Sequence, residues 1–323
     1  MVSWLFCDVK SNIHADRFIN TMRKLNFNIQ FVTYQTFENA SSDVLFVAEI
    51  DKIPEKILYS KRFLVGVSWA YDIERNLESQ IGRNKLKQIL SRLDLIIVDC
   101  QVYYEKVLSL GVQTNKLWLM PYGVDLSQLD YVSKRIKSGG KTTFYSNRKW
   151  EENYGQETIL CAAESLASLG YNFEITFSNS GSLRKKLLDL YDPLVRRGYV
   201  RYIGEISEFT NIQSLKKSDF FLSASVKDGW SVSILESMAL GTPVLVTSIE
   251  QNLDLIANEV NGITFAPGSV SSLIASCKFA INLKGNPEKF QEIAYSARKT
   301  IELKADYLKN MRQLMSLIRD SIN

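Results

Sequence analysis

Short apolar runs rich in β-branched and aromatic residues alternate with helical patterns almost from end to end, and nothing else in the chain limits its fold as tightly. In the first part the runs "VSWLFC", "NIQFVTY", "DVLFVAE", "FLVGVSW", "LDLIIVD" and "KLWLMPY" read as strands, with helices such as "HADRFINTMRKLN", "RNKLKQILSRL" and "YYEKVLSLG" between them. Such alternation predicts α/β architecture, a parallel sheet covered by helices and doubly wound. After "PYGVDLSQLD" comes "YVSKRIKSGGKTT", polar, basic and Gly-containing, the best linker candidate in the sequence. The alternation then restarts with strands at "TTFYSN", "FEITFSN", "VRYIGE", "SDFFLSAS" and "TPVLVT", and helices at "GQETILCAAESLASLG", "SLRKKLLDLYDPLVRRG" and "VSILESMALG". Two Rossmann-like domains follow, 1–125 and 141–303, joined by a linker at 126–140. The tail from "NPEKFQEIAYSARKT" onward reads as helical throughout, with an apolar stripe that must pack on something.

Composition agrees with two domains, because 323 residues are long for a single hydrophobic core. A hydrophobic fraction of 46% with 23% charged residues excludes a disordered or low-complexity chain. The net charge of +4 is mild, and its excess gathers between Lys134 and Arg201 in "KRIKSGGK", "NRK", "RKK" and "RR". These clusters read as solvated faces, or else as surfaces that meet phosphates or an anionic membrane. No stacking aromatics are interleaved with them, so nucleic acid is not an expected partner. Cys7, Cys100, Cys161 and Cys277 lie far apart among apolar or small neighbours and read as reduced core thiols. No apolar run reaches the length of a membrane span, and "MVSWLFCDVK" has neither a basic start nor a cleavage site. The expected location is cytoplasmic, with at most peripheral contact at the inner face of the membrane.

The stretch "DGWSVSILESMALGTPVLVT", residues 228–247, carries the chemistry. In an open parallel sheet, ligands bind beyond the carboxyl ends of strands, where loops lead into helices. The loop "VKDGWSVS" follows one strand and opens the helix "ILESMALG", so the backbone amides of Trp230, Ser231 and Val232 are placed to meet a phosphate, and Gly229 lets the chain pass close to it. Ser233 followed by Glu236 also fits a capping box, a purely structural account of the second carboxylate.

This constellation resembles the signature of retaining glycosyltransferases of family 4, which have the GT-B fold of two Rossmann-like domains facing across a cleft, and the resemblance implies that the C-terminal helix, about 304–323, crosses back over the first domain. The likeness covers most of the second domain and the hinge: "PYGVD" resembles the family's hinge segment, "FYSNRK" its Gly-Arg strand end, "TFSNSGSLRKKL" the loop near the base, and "NGITFAPGSVSSLI" a late Asn-Gly segment. The resemblance implies a UDP-sugar or GDP-sugar donor, no metal and no other cofactor, and a glycan, glycolipid or glycoprotein acceptor, with a hexosyl unit transferred in surface polysaccharide or glycan synthesis. Glu236 would bond the ribose hydroxyls and Asp228 those of the sugar, since a carboxylate accepts charge-assisted hydrogen bonds well. Gly181 and Ser182 would line the donor side. Arg148, with Lys149 second, would face the diphosphate as charge develops on it. The chain departs from the pattern with Asp228 where Glu is usual, Ser231 where Gly is usual, no Lys about five residues after Arg148, and "CDVKSNIHAD" in place of a Gly-Gly loop after the first strand.

On the acceptor side, His14 opens the first long helix, and "VSWAYDIERN" places Trp69, Tyr71 and Asp72 just past a strand. Aromatics beside an acid suit a sugar, the rings stacking on its apolar face. A cap for the following helix is the equal alternative for Asp72, and a surface or capping residue for His14. A non-catalytic partner subunit of the same fold, or a nucleotide-sugar epimerase, are the rival functions.

Overall fold

The computed structural model describes residues 2–37, 42–133 and 140–322. The chain forms two compact units, one comprising Met1–Gly123 and Asp306–Asn323, the other Val124–Ala305.

In the first unit the strands are β1 (Trp4–Asp8), β2 (Ile29–Thr33), β3 (Val44–Ala48), β4 (Phe63–Val67), β5 (Leu95–Val98) and β6 (Leu117–Leu119). They form one sheet in the order β2-β1-β3-β4-β5-β6, every neighbouring pair parallel. All five residues of β1, "WLFCD", and of β3, "VLFVA", are buried, as expected of central strands covered on both faces. One face packs Phe6, Phe46, Val65 and Ile97 against Phe18, Ile19 and Met22 of the helix Ile13–Lys24. The same cluster takes in Tyr307, Met311, Leu314, Met315 and Ile318, so the last helix, Tyr307–Ile322, belongs to this core.

The second unit contains β7 (Thr142–Ser146), β8 (Phe173–Phe177), β9 (Val200–Tyr202), β10 (Phe220–Ser223), β11 (Val244–Thr247) and β12 (Ile263–Phe265). Its sheet runs β12-β11-β10-β7-β8-β9, again all parallel. The helices Gln156–Ser168 and Val270–Leu283 cover one face, burying Phe144, Phe173, Phe220 and Leu222. The helix Val232–Ala239, with Ala297 and Ile301, covers the other, burying Tyr145, Phe221 and Val246.

Three readings change. Residues 126–133, expected in the linker, belong to the second unit: Leu129 is buried, and the Val132 N–H donates to Leu240 O at 3.2 Å. Residues 134–139 of that linker lie outside the described residues. "SLRKKLLDLYDPLVRRG" forms two helices, Arg184–Leu190 and Asp192–Arg196, because Pro193 favours the first turn of a new helix over the interior of an old one. The tail likewise breaks into Pro287–Lys304 and Tyr307–Ile322, Ala305 leaving helical geometry at φ −131°.

Candidate functional site

Where strand order reverses in an open parallel sheet, the two flanking loops leave in opposite directions and open a crevice at the carboxyl ends. In the second sheet that point lies between β7 and β10, which are adjacent although a long stretch of chain separates them. The residues that follow them, 147–156 and 224–232, therefore meet.

Arg148 is the hub. Its guanidinium donates to Asp228 Oδ2 at 2.5 Å and to the Ser231 hydroxyl at 2.5 Å, and lies 4.6 Å from the centre of the Tyr154 ring. Its backbone carbonyl accepts from Gln156 Nε2 at 2.7 Å. The Arg148 and Asp228 side chains are only 12% and 17% exposed. Burial raises the Asp228 carboxyl above its ordinary range, although Arg148 and the Gly229 N–H pull it back toward the charged form. Lys149, the neighbouring cation, is exposed while Trp150 is buried.

Gly229 and the half-buried Trp230 lead to Ser231, which is the N-cap of the helix starting at Val232. Ser231 makes no side-chain capping bond, its hydroxyl being taken by Arg148. Ser233 lies inside this helix, so the capping-box reading of Ser233 and Glu236 does not hold. Glu236 is buried and accepts from Asn211 Nδ2 at 3.2 Å. Asn211, on the helix Glu208–Lys217, accepts in turn through Oδ1 from the Tyr145 hydroxyl at 2.9 Å and from Asn147 Nδ2 at 2.8 Å. Burial pushes the Tyr145 hydroxyl up to about 12, so it stays a proton donor.

Gly181 and Ser182 sit on the loop after β8, pressed against the chain that leaves β7. A Cβ on Gly181 would come within 2.5 Å of Trp150 O, which explains the glycine. The amide and hydroxyl of Ser182 both donate to the Glu151 carboxylate, at 2.8 and 2.5 Å. Their contacts in the structure are thus with the chain that leaves β7.

In the first sheet the order reverses between β1 and β3, so its crevice opens beside the end of β1. Asp8 closes β1 and is fully buried, accepting from the Val9 N–H at 2.7 Å, Asn12 Nδ2 at 2.8 Å and Trp69 Nε1 at 3.4 Å. Burial raises its carboxyl above the usual range against those three donors. The Trp69 ring lies 5.3 Å from His14 and 5.2 Å from Tyr122. The structure therefore brings His14 and Trp69 together and adds Asp8 and Tyr122.

Asp72 is a correction. It is buried, its Oδ1 accepting from the Ser68 hydroxyl at 2.8 Å and the Trp69 N–H at 3.1 Å, its Oδ2 from the Ile50 N–H at 2.9 Å. Between Trp69 and Tyr71, Ala70 adopts φ +69°, ψ −55°, and the Tyr71 N–H donates to Trp69 O at 2.8 Å, a strained γ-turn. The Asp72 carboxylate and the Ser68 hydroxyl, which accepts from the Ala70 N–H at 3.0 Å, hold that turn in place. Asp72 thus spends both carboxylate oxygens on fixing the loop that presents Trp69. Tyr71 is exposed, with Arg75 5.4 Å from its ring centre.

Sequence reasoning missed Asp8, Asn147 and Asn211. Asp8 had a usable signal, an acid ending an apolar strand, whereas the two asparagines stand in no motif. Among the described residues no three His, Cys, Asp or Glu side chains come together in a way that would hold a metal ion.

The family model described as "Glycosyl transferases group 1" matches residues 130–299. An uncharacterized glycosyltransferase of Methanocaldococcus jannaschii, MJ1607, is 33% identical over 103 residues, which are 32% of this chain and 26% of that protein. The chain thus matches about a quarter of that relative's length. Among solved structures, the sucrose-phosphate synthase tll1590 of Thermosynechococcus elongatus superposes with a TM-score of 0.82 over 98% of both chains at 11% identity. Alr3699/HepE of Anabaena in complex with UDP superposes at 0.78, covering 98% of this chain and 100% of its own, at 14% identity. At such identities the likeness is one of fold.

Proposed function

The chain belongs to the group 1 glycosyl transferases, and from that premise we propose that it moves a hexosyl unit, with retention, from a nucleotide-sugar bound by the second unit to a hydroxyl of a glycan, glycolipid or glycoprotein. The observation that carries this reading is the convergence of Arg148, Asp228, Ser231 and Glu236 at the switch point of the second sheet, beside a helix start. Glu236 accepts from the ribose of the donor and Asp228 from the hydroxyls of the sugar. The Arg148 guanidinium and the first amides of the helix at Val232 face the diphosphate, with Lys149 as a second cation; fixed positive charge at a helix N-terminus stabilises a departing anion without a metal. The C1–O bond to the diphosphate breaks, a C1–O bond to the acceptor forms on the same face, and the acceptor proton ends on the departing diphosphate or in solvent. No cofactor is invoked. Fold neighbours captured with UDP and UDP-glucose support a UDP-sugar as donor over a GDP-sugar. On the acceptor side His14 and Trp69 form the stacking surface. A cytoplasmic protein of this kind would meet a lipid-linked acceptor by peripheral contact, for which the exposed Lys185 and Lys186 are the described candidates.

The test is thermal unfolding in UDP, GDP, ADP and their common sugar conjugates, since a ligand that binds only the folded state raises the melting temperature. One nucleotide is expected to shift the transition, and Glu236→Ala to abolish that shift; no shift with any of them overturns the reading. Rates unchanged by EDTA are expected as well.

One observation favours a second reading, a non-catalytic partner of the same fold: the cation meant for the diphosphate and the acid meant for the sugar are paired with each other. Release of nucleotide by the purified chain with donor and acceptor present removes that alternative.

A further inference from the structure

Among the described residues, buried side-chain atoms without a hydrogen-bond partner concentrate at the end of β7 and just after it: Ser146 Oγ, Asn147 Oδ1, Arg148 Nε, Trp150 Nε1 and Gln156 Oε1. An orphaned buried acceptor or donor gives up its bonds to water without replacement, so a cluster of them at a sheet's switch point marks a place that a polar ligand completes.

Asn147 is the member whose orientation is fixed by its surroundings. The Asn211 carbonyl already accepts from the Tyr145 hydroxyl at 2.9 Å, and the Asn211 amide nitrogen faces Glu236 Oε2 at 3.2 Å. Only a donor can complete the carbonyl side, so Asn147 must turn its Nδ2 toward Asn211, at 2.8 Å. Its Oδ1 is thereby pointed away from Asn211, buried and unpartnered. The backbone cannot relieve this by shifting, because the Asn147 carbonyl accepts from Asn179 Nδ2 at 3.2 Å. Glu236 and Asn147 thus flank one bridging amide, each offering acceptor oxygen. A ligand complementary to two acceptor groups so linked carries two neighbouring O–H donors, a vicinal diol; a ligand with only one leaves the other acceptor empty.

We infer that Asn147 is a specificity residue that accepts the second hydroxyl of the ribose diol whose first hydroxyl goes to Glu236. The inference rests on the nucleotide-sugar reading and deepens it: the protein selects ribonucleotides over deoxyribonucleotides through an uncharged amide beside the carboxylate.

Calorimetric titration of the full chain with UDP, 2′-deoxy-UDP and 3′-deoxy-UDP tests it, with GDP or ADP and their deoxy forms substituted if one of those is the nucleotide that stabilises the protein. Wild type is expected to bind one deoxy form about ten-fold more weakly through loss of a single hydrogen bond to a neutral acceptor. Asn147→Ala is expected to weaken binding of the parent nucleotide by about the same factor and to erase discrimination at that one position, while discrimination at the other, held by Glu236, remains. If Asn147→Ala does not fold, Asn147→Ser serves, its shorter side chain being expected to lose the same discrimination. Wild-type discrimination at both positions in either folded variant overturns the inference while leaving the nucleotide-sugar reading intact. Failure of every ribonucleotide to bind wild type sinks that reading instead.

Discussion

Arg148 and Asp228 are each largely buried and each the other's charge partner, so neither can be removed without stranding a charge. Breaking such a pair by deleting one member typically costs 3–5 kcal/mol, more than a surface ion pair is worth. Arg148→Ala is expected to lower unfolding free energy by about 3 kcal/mol in urea titration and to abolish transfer; a variant that melts like wild type would show the pair to be idle. Asp72 makes a different prediction, in pH. Burial raises its carboxyl from 3.8 to about 6, so between those values the folded state holds more protons than the unfolded one. The stability linked to this proton is fully present below about 4 and is lost as pH rises through about 6, a change on the order of 3 kcal/mol. Asp72→Asn is expected to flatten the fall in melting temperature between those pH values; an unchanged slope assigns it elsewhere. Glu236 and Asp228 were legible in the sequence because both fall in one contiguous stretch with a helix start between them. The anchoring role of Asp72 was not legible because one partner, the Ile50 N–H, lies on another segment, and no local pattern announces such a bond.

At the scale of elements, the site depends on how tightly the chain after β7 is wedged against the chain after β10. Gly155 stands at the contact with φ +66°, and a Cβ there would come within 2.3 Å of Ala224 O. Close by, the Val226 N–H donates to Asn153 O at 2.8 Å. Gly155→Ala adds a strained left-handed residue to a backbone clash, and the strain alone is worth about 1–3 kcal/mol. It is expected to lower the melting temperature and also to weaken nucleotide binding, because the displaced helix start carries Gln156, which braces the Arg148 carbonyl. Calorimetry and thermal melts check the two effects separately, and full wild-type values in both would show that the contact is slack. Among the described residues, eleven of the twelve strands were readable as apolar runs. The exception, β12, is three residues long and was seen only as part of "NGITFAPG". Helix ends were harder to place: at Tyr191 and Ala305 the apolar periodicity continues across a break made by backbone geometry.

At the scale of the molecule, the chain leaves the first unit after Gly123, builds the whole of the second, and returns at Asp306. Tyr307, Met311, Leu314, Met315 and Ile318 then fill the first unit's core. Losing five such side chains, at about 2–5 kcal/mol each, matches or exceeds the stability of an ordinary domain. Removing residues 306–323 is therefore expected to leave 1–123 open to protease, while 124–305 still melts cooperatively and still shifts with nucleotide. A protease-resistant first unit in that truncation would show the last helix to be an ornament. Fold class was readable at this scale because alternation of strand and helix is a property of the linear chain. Strand order was not: it is set by which sheet edge each crossover returns to, and that choice alone brought residues 147–156 beside 224–232.

The return of the chain also bears on its synthesis. A ribosome emits residues in order, so the second unit can close its core once Ala305 has emerged, whereas the first unit, begun earlier, waits for Ile318. For that interval the apolar faces of Phe18, Ile19 and Met22 lack their final cover, and the half-made first unit is the form of this protein that a chaperone would meet.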